Sequence, residues 1–376
     1  MRIAIEAQRL FRPRKHGMEV VTLELIRAMQ DLEPSDEIRI FIKDDKDDNC
    51  LYNKNNVTVT KTKSYPYPIW EQYLLPSKVK TFDPDILHCT SNTGPLFPGV
   101  KTILTLHDII YLESLNFKGT TYQNFGNIYR RLVVPRVVAN AKKIITVSEF
   151  EKEKIVKRLN IPDEKISVVY NAKSKNFKPI EDQVKLDEFK TRHVLPDDFI
   201  LFLGNTAPKK NTPAMIKAYC DYLEKSGDSP LKMVVLDLDE NVLKSILEKT
   251  GFSKYRYHFI LPGYIGADEM PLIYNLAKIY VYPSLRESFG LPIIEAMACN
   301  TPVITSNTSS MPEVAGKAAR LIDPYKPETI TDALLDLAKN KEKREELKSL
   351  GLKRSSFFSW ENAASQMLTH YHELIN

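Results

Sequence analysis

Cysteine is scarce in this chain, at four of 376 residues, and glycine is limited to 13. Cys50, Cys89, Cys220 and Cys299 lie far apart, without metal-binding or redox spacing. They fit reduced, buried thiols in a reducing cytosol. No apolar run approaches the roughly 18 residues that a membrane span needs. The opening residues Met1-Arg2-Ile3-Ala4-Ile5-Glu6 are interrupted by charge too early for a secretory leader, so a cytoplasmic location is expected. Neither half shows G-x-G-x-x-G at its first strand–helix turn, which disfavours a dehydrogenase. No nucleic-acid-binding motif accompanies the basic residues, and no nucleic-acid partner is expected.

What is present describes a soluble globular chain, 43% hydrophobic and 27% charged, and its length favours two domains. The net charge of +5 is unevenly spread. Residues 1–178 carry 29 Lys and Arg against 21 Asp and Glu, and the remainder carry 24 against 27. A basic first half suits an anionic partner, such as a membrane surface or a lipid-phosphate acceptor. A generic solvated basic face accounts for the same numbers.

Short apolar strands alternate with amphipathic helices throughout. Strands are expected at residues 2–7, 38–42, 57–60, 86–89, 102–106, 143–147 and 166–170. Helices are expected from Gly17, over 122–140, and after the capping residue Ser148. Residues 64–70 are aromatic and proline-rich, and read as a loop that can cover an acceptor cleft or simply pack on the surface. The helix over 122–140 mixes arginines with apolar residues, a pattern that suits a membrane surface or ordinary packing on a sheet. Residues 172–198 show no strand and hold the linker. The alternation restarts with strands at 199–203, 232–236, 257–261, 279–282, 302–305 and 319–322. It ends in charged helices and an amphipathic helix over 361–374. Such alternation implies an α/β fold with a parallel sheet in each half and ligands at strand carboxyl ends. The expected domains are 1–178 and 179–358, with 359–376 as a helix crossing back to the first.

One stretch stands out: Glu287-Ser288-Phe289-Gly290-Leu291-Pro292-Ile293-Ile294-Glu295. Pro292 suits the first turn of a helix, so Ser288, Phe289 and Gly290 fall in the loop that enters it. Orphan N–H groups and the helix dipole make such a start an anion site. A buried strand–helix turn with a solvated Glu at each end is the competing reading.

With these pieces in order, the chain resembles the retaining, two-Rossmann-domain (GT-B) glycosyltransferases of family 4, and among them the bacterial mannosyltransferases of polysaccharide assembly. The resemblance rests on Arg2-Ile3-Ala4-Ile5-Glu6-Ala7, His16-Gly17-Met18-Glu19, Thr105-Leu106-His107-Asp108 and Thr146-Val147-Ser148-Glu149-Phe150 in the first half. In the second half it rests on Leu203-Gly204-Asn205, Pro208-Lys209-Lys210-Asn211, the run from Pro283 to Pro292, Glu295-Ala296-Met297-Ala298, Thr301-Pro302-Val303-Ile304 and Pro312-Glu313-Val314.

The resemblance implies transfer of a hexose from a GDP- or UDP-linked donor to a glycan or lipid-phosphate-linked acceptor. It implies retention and no cofactor or metal. Lys210, with Lys209, would neutralise the diphosphate, and Gly17 would let backbone approach it. Glu287, Ser288 and the N–H groups of Phe289, Gly290 and Leu291 would hold the donor. Glu295 would accept from the ribose. His107 would face the sugar near the reacting carbon, with Asp108 and Arg9 as acceptor or auxiliary residues. Asp108 is equally explained as a helix cap.

Four positions depart from the family pattern: Ser288 and Asn300 replace glycines, Asn205 stands where many relatives carry Arg, and Glu19 occupies a frequent glycine position. Glu19 is expected to point away from a diphosphate, and Asn300 to tolerate left-handed φ. Asp237-Leu238-Asp239 reads as a helix-capping strand end rather than a metal pair. Rival functions are a nucleotide-sugar epimerase on the same scaffold and a non-catalytic nucleotide-sugar-binding subunit.

Overall fold

A computed structural model describes residues 1–13, 15, 17–113 and 121–375. His16 of the expected phosphate loop lies outside them. The chain divides into two units, Met1–Ala172 with Ser359–Asn376, and Lys173–Phe358. The division falls at Ala172, slightly before the expected 178.

The first unit is built on seven strands, β1 (Arg2–Glu6), β2 (Glu37–Lys43), β3 (Val57–Thr62), β4 (Ile86–Cys89), β5 (Lys101–Thr105), β6 (Lys143–Thr146) and β7 (Ile166–Val168), in the order β3-β2-β1-β4-β5-β6-β7. The second has six, β8 (Phe199–Leu203), β9 (Lys232–Leu236), β10 (Phe259–Ile260), β11 (Ile279–Tyr282), β12 (Val303–Ser306) and β13 (Ala319–Ile322), in the order β10-β9-β8-β11-β12-β13. Every strand pairing is parallel. Helices cover both faces, so central strands such as β4, β11 and β12 are buried at every residue. In each sheet the strand order reverses once, between β1 and β4 and between β8 and β11. Ligands of open parallel sheets bind outside the strand carboxyl ends at such points.

One segment differs from expectation, and the linker region, without a strand as expected, holds a helix. Residues 64–70 are not all loop. A helix starts at Tyr67, widens over Trp70–Leu74 and continues as Leu75–Phe82. Pro76 has no N–H to give, and the widened turn lets Leu75 donate to the carbonyl of Trp70, five residues back. Trp70 anchors this helix from below, its indole N–H 2.7 Å from Thr62 Oγ1. In the linker region, residues 183–192 form a helix whose N-cap, Asp182, accepts from Lys185 N. The last helix, Trp360–Glu373, belongs to the first unit. It packs on the helix Gly17–Asp31 and inserts the Tyr371 hydroxyl 2.7 Å from His88 Nδ1 in β4.

Candidate functional site

In the second unit the residues of the glutamate stretch and the lysine turn converge outside β8 and β11. Gly204 follows β8 where a Cβ would lie 2.9 Å from both Phe202 Cε1 and Val235 Cγ1, so any side chain there forces those two to shift. Asn205 then turns the chain by accepting from Ala207 N at 2.9 Å. A short 3₁₀ turn, Pro208–Lys210, presents the two lysines. Leu285 N donates to the Lys209 carbonyl at 2.7 Å and ties this turn to the loop after β11.

Glu287 is buried, at 8% exposure, between the two lysines. Lys210 Nζ lies 2.8 Å from its Oε1, and Lys209 Nζ lies 3.2 Å from its Oε2. Lys210 is also 2.9 Å from the Tyr282 hydroxyl. The Glu287 backbone is clamped from the loop after β12: its N–H donates to Ser309 Oγ, and its carbonyl lies 2.9 Å from the hydroxyls of both Ser309 and Ser310. Burial alone would raise this carboxyl; Lys210 and then Lys209 outweigh it and hold it below the usual range. The cluster carries two positive charges against one negative, with Lys209 exposed toward solvent.

Gly290, at φ +103°, turns the chain into the helix Leu291–Ala298, with Pro292 in its first turn. Ser288, Phe289 and Gly290 thus form the loop ahead of a helix start. Glu295 sits within that helix. Its Oε2 is 3.5 Å from the Tyr274 hydroxyl, and burial pushes its carboxyl up to about 7. Asn300 takes φ +62°, the left-handed conformation that asparagine tolerates. Asp239 caps the following helix by accepting from Asn241 N. Among the described residues no group of three or more His, Cys, Asp or Glu side chains could hold a metal ion.

In the first unit His107 is buried just past β5. Its Nε2 lies 2.9 Å from the Thr90 carbonyl, an atom that only accepts, so Nε2 carries the proton and Nδ1 the lone pair. Burial lowers its pKa, keeping the ring neutral at pH 7. Asp108 Oδ1 accepts from Ile110 N at 3.1 Å and so starts the helix Ile110–Glu113. Gly17 is exposed, with nothing within 4 Å of where a Cβ would stand. Glu19 is buried and lies 3.8 Å from Arg12. Arg9 stacks on Tyr67, 4.7 Å above its ring.

Sequence reasoning missed several residues here. Glu6 ends β1, accepts from Gln8 N and Thr90 N, and is pushed by burial up to about 7. Glu71 is buried beneath the tyrosines 67 and 129. Ser309 and Ser310 close on Glu287 from a third loop. The available signals were an acid at the end of a strand beside the order reversal, and a Thr-Ser-Ser run ahead of Pro312.

The chain also resembles known proteins in sequence and fold. The model of "Glycosyltransferase Family 4" matches residues 15–172, and that of "Glycosyl transferases group 1" matches residues 183–354. O-antigen chain mannosyltransferase B of Escherichia coli is 30% identical over 62% of this chain and 61% of its own length. Serotype-specific mannosyltransferase WbdA of the same species is 28% identical over 73% of this chain and 34% of its own. The chain therefore spans between about a third and three fifths of the length of these curated relatives. Among solved structures, HepE of Anabaena in complex with UDP and glucose superposes with a TM-score of 0.75 at 16% identity, over 99% of this chain and all of that one. Sucrose-phosphate synthase of Thermosynechococcus elongatus gives 0.75 at 16% identity over 100% and 99%. At those identities the likeness is one of fold. With one family model on each unit and two Rossmann-like parallel sheets of the GT-B type, this chain belongs to the family 4, group 1 glycosyltransferases.

Proposed function

We propose that the protein transfers a hexose, mannose being favoured, from a GDP- or UDP-linked donor to a glycan or lipid-phosphate-linked acceptor, with retention of anomeric configuration, in the assembly of a capsule or lipopolysaccharide. The observation that carries this reading is the Lys209–Glu287–Lys210 cluster at the strand-order reversal of the second sheet. Two cations beside a helix start suit a diphosphate leaving group, whose charge grows as the glycosidic bond breaks. Glu287, held ionised, accepts from sugar hydroxyls, with the N–H groups of Phe289 and Gly290 beside it. Glu295 receives the ribose hydroxyls. His107, neutral and with Nδ1 unprotonated, takes the role of orienting the sugar near the reacting carbon that the family resemblance implies for it.

Retention follows if the acceptor attacks on the face the diphosphate leaves, the diphosphate itself taking the acceptor proton. No carboxylate nucleophile is then required, and the paired-carboxylate scheme of retaining hydrolases does not apply to Glu287 and Glu295. Because the lysines carry the charge, activity in excess chelator is expected to equal that without it; loss restored by a divalent ion contradicts the metal-free scheme. We place the enzyme in the cytoplasm, at the inner face of an anionic membrane. That placement is supported by the basic first half and by Phe125, Ile128 and Leu132, which stand exposed on the helix Thr121–Asn140. Among the described residues no helix is long and apolar enough to cross a membrane.

Incubation with labelled nucleotide sugars and a lipid-linked glycan separates this reading from its rivals. Label moving to the acceptor supports the transferase. Conversion of the donor alone indicates an epimerase, and binding without turnover a non-catalytic subunit.

A further inference from the structure

The first unit contains a cavity of about 760 Å³, lined by Arg9 and Arg12, residues 64–68 and the helix Thr121–Asn140. We propose that it binds the phosphate-bearing part of a saccharide, and so selects an acceptor that carries such a group. Its volume suits a small ligand of one or two sugar rings with a phosphate.

The charge of the lining points to an anion. Arg9, Arg12, Lys43 and Arg130 face Asp45 as the one acid among the lining residues. Arg12 has a carboxylate partner in Glu19. Among the described residues, no ion pair engages Arg9, Lys43 or Arg130. Arg9 acts on the buried Glu6 through its charge, and Arg130 bonds Asn127 Oδ1 at 3.2 Å, so three cations without an ion pair stand around one concave surface; arginine forks match phosphate oxygens two at a time.

The remainder of the wall suits a sugar. Tyr67 and Tyr129 meet edge to face, ring centroids 5.5 Å apart. Both hydroxyls donate to the buried Glu71, at 2.7 and 2.6 Å, and Glu71 also accepts from Thr93 and Gln72. These bonds occupy the acid behind the wall and lock the two rings in place. Arg9, its guanidinium carbon 4.7 Å from the centre of the Tyr67 ring, is held against the same pair. A fixed aromatic surface beside oriented guanidinium groups offers a sugar ring apolar contact while the cations hold its phosphate. The anionic group separates this site from one for neutral glycans, and the polar wall separates it from a lipid-tail groove.

Naming the ligand as an acceptor rests on the transferase reading above, so the test measures binding without turnover. The protein is first saturated with a nucleoside diphosphate to fill the donor site, then titrated with mannose 1-phosphate and with methyl mannoside by calorimetry. The sugar phosphate is expected to bind at least tenfold more tightly than the glycoside. Arg9→Gln and Arg130→Gln are each expected to weaken it at least tenfold, with nucleotide affinity unchanged. If Arg9→Gln fails to fold, Arg130→Gln and Lys43→Gln carry the test. Equal affinity for the two sugars, undiminished binding in the arginine variants, or displacement by further nucleotide overturns the proposal. A second arm offers the same sugar phosphate on a polyprenyl lipid in neutral vesicles. Tighter binding there identifies a lipid-linked source, and no gain a soluble one.

Discussion

At Glu287 a buried carboxylate keeps its charge because Lys210 and Lys209 outweigh the cost of burial. Glu295 shows the opposite balance: it has no cation beside it, and burial lifts it from 4.5 to about 7. Its folded-state pKa is the higher one, so the stability linked to its proton is fully present below pH 4.5 and lost as pH rises through 7. Glu295→Gln removes that loss. Thermal melts are expected to show the variant gaining on the wild type between pH 5 and pH 8, by on the order of 2 kcal/mol at the alkaline end. A constant difference across that range contradicts the assignment. Glu287 and Lys210 were legible in the sequence because each lies in a short local motif. Ser309 and Ser310 were not, since they reach the Glu287 backbone from another loop. The pairing of Glu6 and Glu71 with buried donors was invisible for the same reason: burial of an acid is a property of tertiary packing.

Among the elements, the turn into the helix Leu291–Ala298 depends on Gly290. A side chain there meets both the φ of +103° and Ile293 Cδ1 at 3.1 Å. Gly290→Ala is expected to cost about 1–3 kcal/mol of stability, read from denaturant unfolding; a loss below measurement error contradicts the strain argument. The terminal helix Trp360–Glu373 is docked by Tyr371, whose hydroxyl meets a His88 ring that also bonds Thr105 Oγ1 at 2.7 Å. Tyr371→Phe leaves a buried ring nitrogen without its partner, at a cost of about 1–3 kcal/mol. Limited proteolysis is expected to cut the variant's last helix sooner than the wild type's; unchanged cleavage rules out this anchoring role. Burial lowers His88 to about 3, so the unfolded chain takes up a proton below pH 6.5 that the folded one refuses, and the docking weakens as pH falls toward 3. Most elements were legible from their apolar period. The helix after Tyr67 was not, because Pro66, Pro68 and Pro76 read as loop until their places at helix starts and beside a widened turn are known.

Over the whole molecule, the alternation of strand and helix was enough to foresee two parallel sheets, since parallel strands demand crossover helices and give continuous apolar runs. Where each sheet reverses its order was not readable, because strand neighbours are set by packing across the sheet and leave no mark on local spacing. That reversal gathers Lys209, Lys210 and Glu287 from loops 77 and 78 residues apart in sequence. The central claim is that this cluster holds the diphosphate sugar, and its most direct test is the dissociation constant for GDP- and UDP-hexoses in the wild type, Lys210→Ala and Glu287→Ala. One donor is expected to bind the wild type, and each substitution to weaken it by tenfold or more and to lower turnover by orders of magnitude, with melting behaviour showing an intact fold. Wild-type affinity and turnover in either folded variant contradict the account.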